Sequence, residues 1–199
     1  DDLFIYEGGY VANIDTDQLN EVNLSLVTVT FKKEDFITRN LKLLENEIIY
    51  SDEELADHIF VRVIDNGRTL NEGEWNSERI HIYKNPNVGG SGGYTRGMIE
   101  TLKDEQFVAT HALLMDDDVK ILPESIIRTY NILCCVKPEY KELILMTKHN
   151  YSNYFIASSP NNKHLTKTLE LIVDNIQNKR VGNGVYDLTG PTALNKAIG

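Results

Sequence analysis

The chain has 199 residues, with 20 Lys and Arg against 30 Asp and Glu, and carries a formal charge of −10 at pH 7. That length predicts one core, at roughly 100–200 residues per domain, and 41% hydrophobic with 25% charged residues excludes the composition of a disordered chain. Scattered lysines on so acidic a chain argue against nucleic acid as a partner, and no run approaches the ~20 apolar residues of a membrane span. Any membrane association is therefore expected to be peripheral.

Asp1-Asp2-Leu3-Phe4 has neither an initiator Met nor the cationic segment of a signal peptide, which suggests a chain cut from something longer. Tyr6 to Leu19, with Gly8-Gly9, reads as a remnant strand or loop, so residues 1–20 are set apart from a core at 21–142. Leu24 to Phe31 (L-S-L-V-T-V-T-F) is apolar and β-branched and predicts a strand. Phe36, Ile37, Leu41 and Leu44 follow at helical spacing. Asp52-Glu53-Glu54-Leu55 looks like a helix start, Ile59 to Ile64 a strand, and Asn66-Gly67 its punctuation. Arg79 to Tyr83 predicts another strand, Asn87 to Gly93 a glycine-rich loop and Tyr94 to Leu102 a helix. A strand at Ala109 to Met115, a loop of three aspartates and a helix from Pro123 through Cys135 complete the core.

Strands alternating with helices predict an α/β fold, a mostly parallel sheet with helices on both faces. Cys134 and Cys135 are helical neighbours about 100° apart, so no disulfide is expected between them, and two buried thiols in a reducing, cytoplasmic compartment are. Beyond Glu142 the texture changes. Leu143 to Met146 and Tyr154 to Ala157 read as strands, Leu165 to Ile176 as an amphipathic helix, and a short helix follows Thr189-Gly190-Pro191.

In open α/β sheets ligands sit beyond the carboxyl ends of the strands, which directs attention to four loops. Thr30-Phe31-Lys32-Lys33 offers a hydroxyl and two cations to a diphosphate or nucleoside, although a solvated loop would read the same. Asp65-Asn66-Gly67 offers a carboxylate to a base edge or ribose, or is simply an Asn-Gly turn. Asn85-Pro86-Asn87-Val88-Gly89-Gly90-Ser91-Gly92-Gly93-Tyr94-Thr95-Arg96 has four glycines in five positions, allowing close backbone approach to a ligand or a flexible hairpin. It is not a P-loop, since no Lys-Ser/Thr follows. Leu113-Leu114-Met115-Asp116-Asp117-Asp118 delivers three consecutive carboxylates from an apolar strand, costly without a cation. Asp116 and Asp118, leaving the strand on one side, are the candidate ligands of Mg²⁺ or Mn²⁺. An EF-hand is excluded, because its sixth and twelfth positions would be Ile121 and Ile127.

V-T-F-K-K, V-I-D-N-G, N-P-N-V-G-G-S-G-G-Y-T-R and L-L-M-D-D-D-V-K-I-L-P-E-S-I, in this order, resemble the nucleotide-sugar-binding half of bacterial galactofuranosyltransferases. These are inverting enzymes of the Rossmann-like GT-A fold, and the likeness covers residues 20 to 140. It implies that Thr30, Phe31 and Lys33 hold uridine and diphosphate, although the family usually has Asn-Arg where Lys32-Lys33 stand. It further implies that Asp65 serves the uracil, that Asn87, Gly89, Gly90 and Gly92 line the nucleotide and sugar, that Asp117 lies near the donor sugar, and that Asp116 and Asp118 bind the metal.

The family's downstream acidic cluster and metal-binding His have no counterpart among Glu170, Asp174, Asp187, His149 and His164. Glu170 and Asp174 read as a solvated helix face, which leaves Asp187 as the candidate base. Residues 143–199, with N-Y-F-I-A-S-S-P-N and L-T-G-P, instead resemble the end of capsular-polysaccharide and mannosyl-type glycosyltransferases. The expectation is a single GT-A domain, truncated or hybrid, that is metal-dependent and uses a UDP-sugar, UDP-galactofuranose first. Its acceptor would be a glycan or lipid-linked glycan for cell-surface polysaccharide, at the inner face of the membrane. The alternative is a nucleotide-sugar-binding chain without a base.

Overall fold

A computed structural model of the protein describes residues 15–51, 54–75, 77–135, 143–146, 151–157, 162–182, 184–188 and 190–198. Two compact units divide the chain, Asp1–Cys135 and Val136–Gly199. The remnant segment expected at Tyr6 to Leu19 and the helix start at Asp52-Glu53 fall largely outside the described residues, and His149 falls wholly outside them.

The first unit is built on a four-stranded, all-parallel sheet of β1 (Leu24–Thr30), β2 (Ile59–Asp65), β3 (Ile80–Lys84) and β4 (His111–Asp116), in the order β3-β2-β1-β4. β2 is buried along its whole length and β1 at all but one position, because both are covered on two faces; this is why their sequences run apolar and β-branched instead of alternating. β3 and β4 lie at the edges, and their burial alternates. One face of the sheet, Leu24, Leu26, Ile59, Val61, Val63, Ile80 and Ile82, packs with Ile37, Leu41 and Leu44 of α1 (Glu34–Leu44) and Ile126 of α4 (Pro123–Cys135) to form the core. α2 (Glu72–Trp75) buries Trp75 in the same core. The opposite face carries α3 (Gly89–Lys103). The expected α/β sheet with helices on both faces is what the unit contains.

The glycine-rich segment is not the loop that the sequence suggested. α3 begins at Gly89, five residues before Tyr94, because its glycines let the helix lie against the sheet. A Cβ on Gly93 would stand 2.5 Å from Val29 Cγ1, and one on Gly97 2.2 Å from Val27 Cγ1. Close packing offsets the roughly 1 kcal/mol by which each glycine disfavours a helix. Gly89 itself has φ +73°, a conformation that side-chain-bearing residues rarely adopt. The fourth strand also starts later than expected, at His111, because the N–H groups of Thr110 and His111 both donate to Asn23 O ahead of the ladder. Asp116 is consequently the last strand residue, paired with Val29.

The expectation of two buried thiols fails. Cys134 is half-buried and Cys135 exposed, both free, because α4 buries only the stripe through Ile126 and places Cys135 on its outer side.

In the second unit β5 (Leu143–Met146) pairs antiparallel with β6 (Tyr151–Ala157), three residues longer than the sequence suggested. α5 (Lys163–Gln177) is capped by Asn162, whose side-chain oxygen accepts from the N–H groups of His164 and Leu165 at 2.8 and 2.9 Å. Asn175 Nδ2 donates to Leu188 O at 3.0 Å and so ties α5 to α6 (Val185–Leu188). α7 (Pro191–Ile198) buries Ala193, Leu194 and Ala197.

Candidate active site

Reading outward from β1, the chain steps to β2 and β3 on one side and to β4 on the other. The strand order therefore reverses between β1 and β4, and a crevice opens at their carboxyl ends. The residues that leave β1 and β4 meet there. Thr30 Oγ1, at the end of β1, donates to Asp117 Oδ2 at 2.9 Å, both groups buried. Lys33 Nζ donates to Asp118 Oδ2 at 2.7 Å and to Asp117 Oδ1 at 3.4 Å. The hydrogen bond to Asp118 is the main reason that the Lys33 ammonium is held above its ordinary pKa, and the same bond holds the Asp118 carboxyl below its own.

Asp116 takes a different partner. Tyr94 OH donates to Asp116 Oδ1 at 2.8 Å and to Met115 O at 2.9 Å. Burial first, and then this carboxylate, push the Tyr94 hydroxyl well above its usual pKa. The loop is held from below by Asn40 of α1, buried, whose Nδ2 donates to both Asp117 O and Val119 O at 3.0 Å.

A second network lies alongside. Asp65 at the end of β2 is fully buried, and its two oxygens accept from Gly67 N at 3.0 Å and Leu70 N at 2.9 Å. Asn85 Nδ2 donates to Asn66 Oδ1 at 2.8 Å, and Asn66 Nδ2 to Gly89 O at 3.1 Å, while Asn66 N donates to Thr30 O at 2.9 Å. These asparagines fasten the ends of β1 and β2 to the start of α3. Asn87 is exposed, with its Oδ1 accepting from Gly89 N at 3.2 Å. A Cβ on Gly90 would meet nothing within 4 Å, whereas one on Gly92 would strike Val88 at 2.4 Å. Phe31 is 45% exposed after β1.

The structure thus joins Thr30, Lys33, Asp117 and Asp118 through direct contacts. Asp116 joins them along the chain, and Asp65 with Gly89 is connected through Asn66. Asp187 belongs to the other unit, half-buried on α6. Of the two carboxylates expected on a solvated face, Glu170 is exposed, while Asp174 pairs with Arg180 at 2.7 Å.

Asn40 and Tyr94 were not singled out by sequence. Asn40 carries a readable signal, a polar residue inside the apolar stripe of Ile37, Leu41 and Leu44. Tyr94 carries none beyond its place after the glycines.

Among the described residues no three His, Cys, Asp or Glu side chains form a ready-made metal cage. Asp116 and Asp118 are exposed hard-oxygen donors flanking a buried aspartate, a donor chemistry that suits a hard divalent cation such as Mg²⁺ or Mn²⁺. A cavity of about 690 Å³ lies elsewhere, lined by Asn23, Asp57 and Val108 before the strands and by Phe107, His81 and Tyr83. This cavity and the aspartates are therefore at different places on the unit.

No model of a known protein family matches the chain. Over 51 residues it is 49% identical to galactofuranosyltransferase GlfT2 of Mycolicibacterium smegmatis, and over 50 residues 48% identical to that of Mycobacterium tuberculosis. These stretches are 26% and 25% of the chain and 8% of either relative's length. The structure also matches a solved PaToxG glycosyltransferase with a TM-score of 0.50 at 13% identity, over 89% of this chain and 69% of that one. The chain therefore has an α/β fold shared with a glycosyltransferase and a stretch that is similar to galactofuranosyltransferases.

Proposed function

We propose that this chain is the donor-binding core of a metal-dependent glycosyltransferase that uses a UDP-sugar, best matched by UDP-galactofuranose. The observation that carries the reading is the convergence of Thr30 and Lys33 with Asp117 and Asp118 where the strand order reverses. Exposed Phe31 offers an aromatic face to a base, Lys33 a charge to the diphosphate, and Asp116 and Asp118 the donors for Mn²⁺ or Mg²⁺. When bound, that cation neutralises diphosphate charge and stabilises the leaving UDP.

The transfer forms a bond between an acceptor hydroxyl oxygen and the anomeric carbon, breaks the bond from that carbon to the β-phosphate oxygen, and delivers the hydroxyl proton to a base. Asp187 is the proposed base. The acceptor would be a glycan or lipid-linked glycan of the cell surface, presented at the inner face of the membrane. No helix among the described residues is long and apolar enough to cross a membrane.

A hydrolysis screen with UDP-sugars, run with Mn²⁺ and with EDTA, tests the reading. Release of UDP from UDP-galactofuranose in the Mn²⁺ arm is the expected result. UDP binding without any turnover would leave a donor-binding module that lacks a working base, and no binding of any UDP-sugar would refute the donor site.

A further inference from the structure

α3 lies over β1 and β2, with Gly93 against Val29 and Gly97 against Val27 and Ile64. On that same face of the sheet, His81 and Tyr83 of the edge strand β3 stay half-buried. Between β3 and the carboxyl end of α3 lies the cavity of about 690 Å³, within the roughly 300–1,000 Å³ of small-ligand sites. Four rings line it in a chain: Phe60 lies 5.3 Å from Phe107 and 5.0 Å from His81, and His81 lies 6.1 Å from Tyr83, centroid to centroid. Polar groups stand around them, among them Asn23, Glu78, Lys103 and Gln106.

The charges of this lining decide what it can take. Asp57 pairs with Arg79 at 2.9 Å, Glu100 with Arg96 at 2.6 Å, and Asp104 with Arg62. Glu78 and Lys103 remain, one of each sign and both exposed, so the lining has no unbalanced charge to offer an ion. The place of a cation against the rings is already filled, because the buried Arg62 guanidinium lies 4.1 Å from the Phe60 centroid and 5.9 Å from that of Phe107. A polyanion would meet the carboxylates of Asp57, Glu78, Glu100 and Asp104. Rings beside such hydrogen-bonding groups suit an uncharged molecule, with apolar C–H faces for the rings and hydroxyls that both donate and accept. That is the chemistry of a carbohydrate.

The cavity and the aspartates stand on opposite sides of α3. Tyr83, Ile64, Val29 and Asp116 form one row across the sheet, so Tyr83 lies three strand spacings, about 14 Å, from Asp116. α3 fills the space between, with Gly93 over Val29 and Tyr94 bonded to Asp116. We propose that the cavity is a holding site for a neutral oligosaccharide, separate from the donor crevice and without a part in the transfer itself. The proposal rests on the lining of the cavity and not on the donor reading. Beside a donor crevice, such a site would retain a glycan between transfers.

The test is calorimetric titration of the whole chain with a galactofuranose tetrasaccharide, maltotetraose, tetragalacturonate and spermine. It compares the wild type with Tyr83→Leu, Glu78→Ala and Asp116→Asn, each shown folded by circular dichroism. A neutral tetrasaccharide should bind at millimolar concentration or below, and the two ions should not. Tyr83→Leu keeps apolar bulk but removes a ring face and should weaken that binding by about tenfold. Glu78→Ala should weaken it by about fivefold, and because Glu78 is exposed this variant reads the site even where the ring substitution unfolds the chain. Asp116→Asn should leave it unchanged. Tighter binding of tetragalacturonate or spermine, neutral-sugar binding that both cavity variants leave intact, or no sugar binding at all would each overturn the holding site. Loss of sugar binding in Asp116→Asn would place the sugar in the donor crevice and overturn it too. A chain that binds the tetrasaccharide through Tyr83 and Glu78, but no UDP in Mn²⁺, would keep this site and refute the donor reading.

Discussion

At the carboxyl ends of β1 and β4 three aspartates face a single lysine, whereas in the middle of β2 one arginine faces a single aspartate. Arg62 is fully buried beneath α3, donates to Ser25 Oγ at 2.8 Å, pairs with Asp104 and lies 4.1 Å from the Phe60 ring. Burial opposes ionisation of Asp104, but the N–H groups of Phe107 and Gln106 and the Arg62 charge outweigh it and hold the carboxyl below its ordinary pKa. That pair is closed, with charge matched one to one. The aspartate loop is open: its charge is unbalanced, Asp116 and Asp118 are exposed, and its one cation is shared. A fold can spend a buried ion pair on architecture, but an unbalanced exposed set invites a ligand. The cavity of about 690 Å³ adjoins the balanced pair, through Asp104, and not the aspartate loop.

The contrast predicts different costs at the two places. Asp104→Ala leaves Arg62 uncompensated and should destabilise the protein by about 3 kcal/mol, the low end for a broken buried pair because Asp104 retains some exposure. Denaturant unfolding measures it, and the UDP affinity of the folded fraction should not change. Gly97→Ala comes next, since its methyl would press on Val27, and overpacking of this kind costs roughly 1–3 kcal/mol. Gly90→Ala should leave stability no lower, because its Cβ meets nothing. If α3 opens onto the donor, Gly90→Val weakens UDP-sugar binding in a protein that melts normally.

Asn40→Ala removes the amide that serves two carbonyls of the aspartate loop and should cost about 1–2 kcal/mol. Unlike Asp104→Ala, it should also weaken UDP binding, because it loosens the loop that carries the carboxylates. An equal loss of affinity in both variants would erase the distinction between the two regions.

The smallest effect is a pH dependence at His111, where burial holds the imidazole below its ordinary pKa of 6.5. The unfolded chain then takes up the proton first as pH falls. Stability from this residue is therefore complete above about 6.5, declines as pH drops towards the folded value, and levels off below it. His111→Gln should flatten that decline in melts between about pH 7 and about pH 5.

The sheet was legible because β1 and β2 are buried on both faces, and nothing but an apolar, β-branched run satisfies that environment. The aspartate loop was legible for the opposite reason, since three carboxylates after such a run contradict it. The start of α3 was not. Glycine signals both a loop and a close helix-to-sheet contact, and only the position of Val27 and Val29 decides between them. The service of Asp65 to its own turn was legible only as one of two alternatives, because a carboxylate that binds a ligand and one that accepts from the Gly67 and Leu70 N–H groups look alike in sequence. The cysteines misled because neighbours on a helix need not share its buried stripe, and α4 leaves Cys135 exposed.

The central claim is that the unbalanced aspartate loop binds a nucleotide diphosphate through a divalent cation. Thermal melts with UDP, in Mn²⁺ and in EDTA, test it for the wild type and for the double variant Asp116→Asn, Asp118→Asn. UDP should stabilise the wild type only with Mn²⁺, by about 2.7 kcal/mol at ~100 times Kd. The double variant should melt like the ligand-free wild type and show no UDP shift. Equal stabilisation by UDP in EDTA, or an undiminished shift in the double variant, would contradict the account.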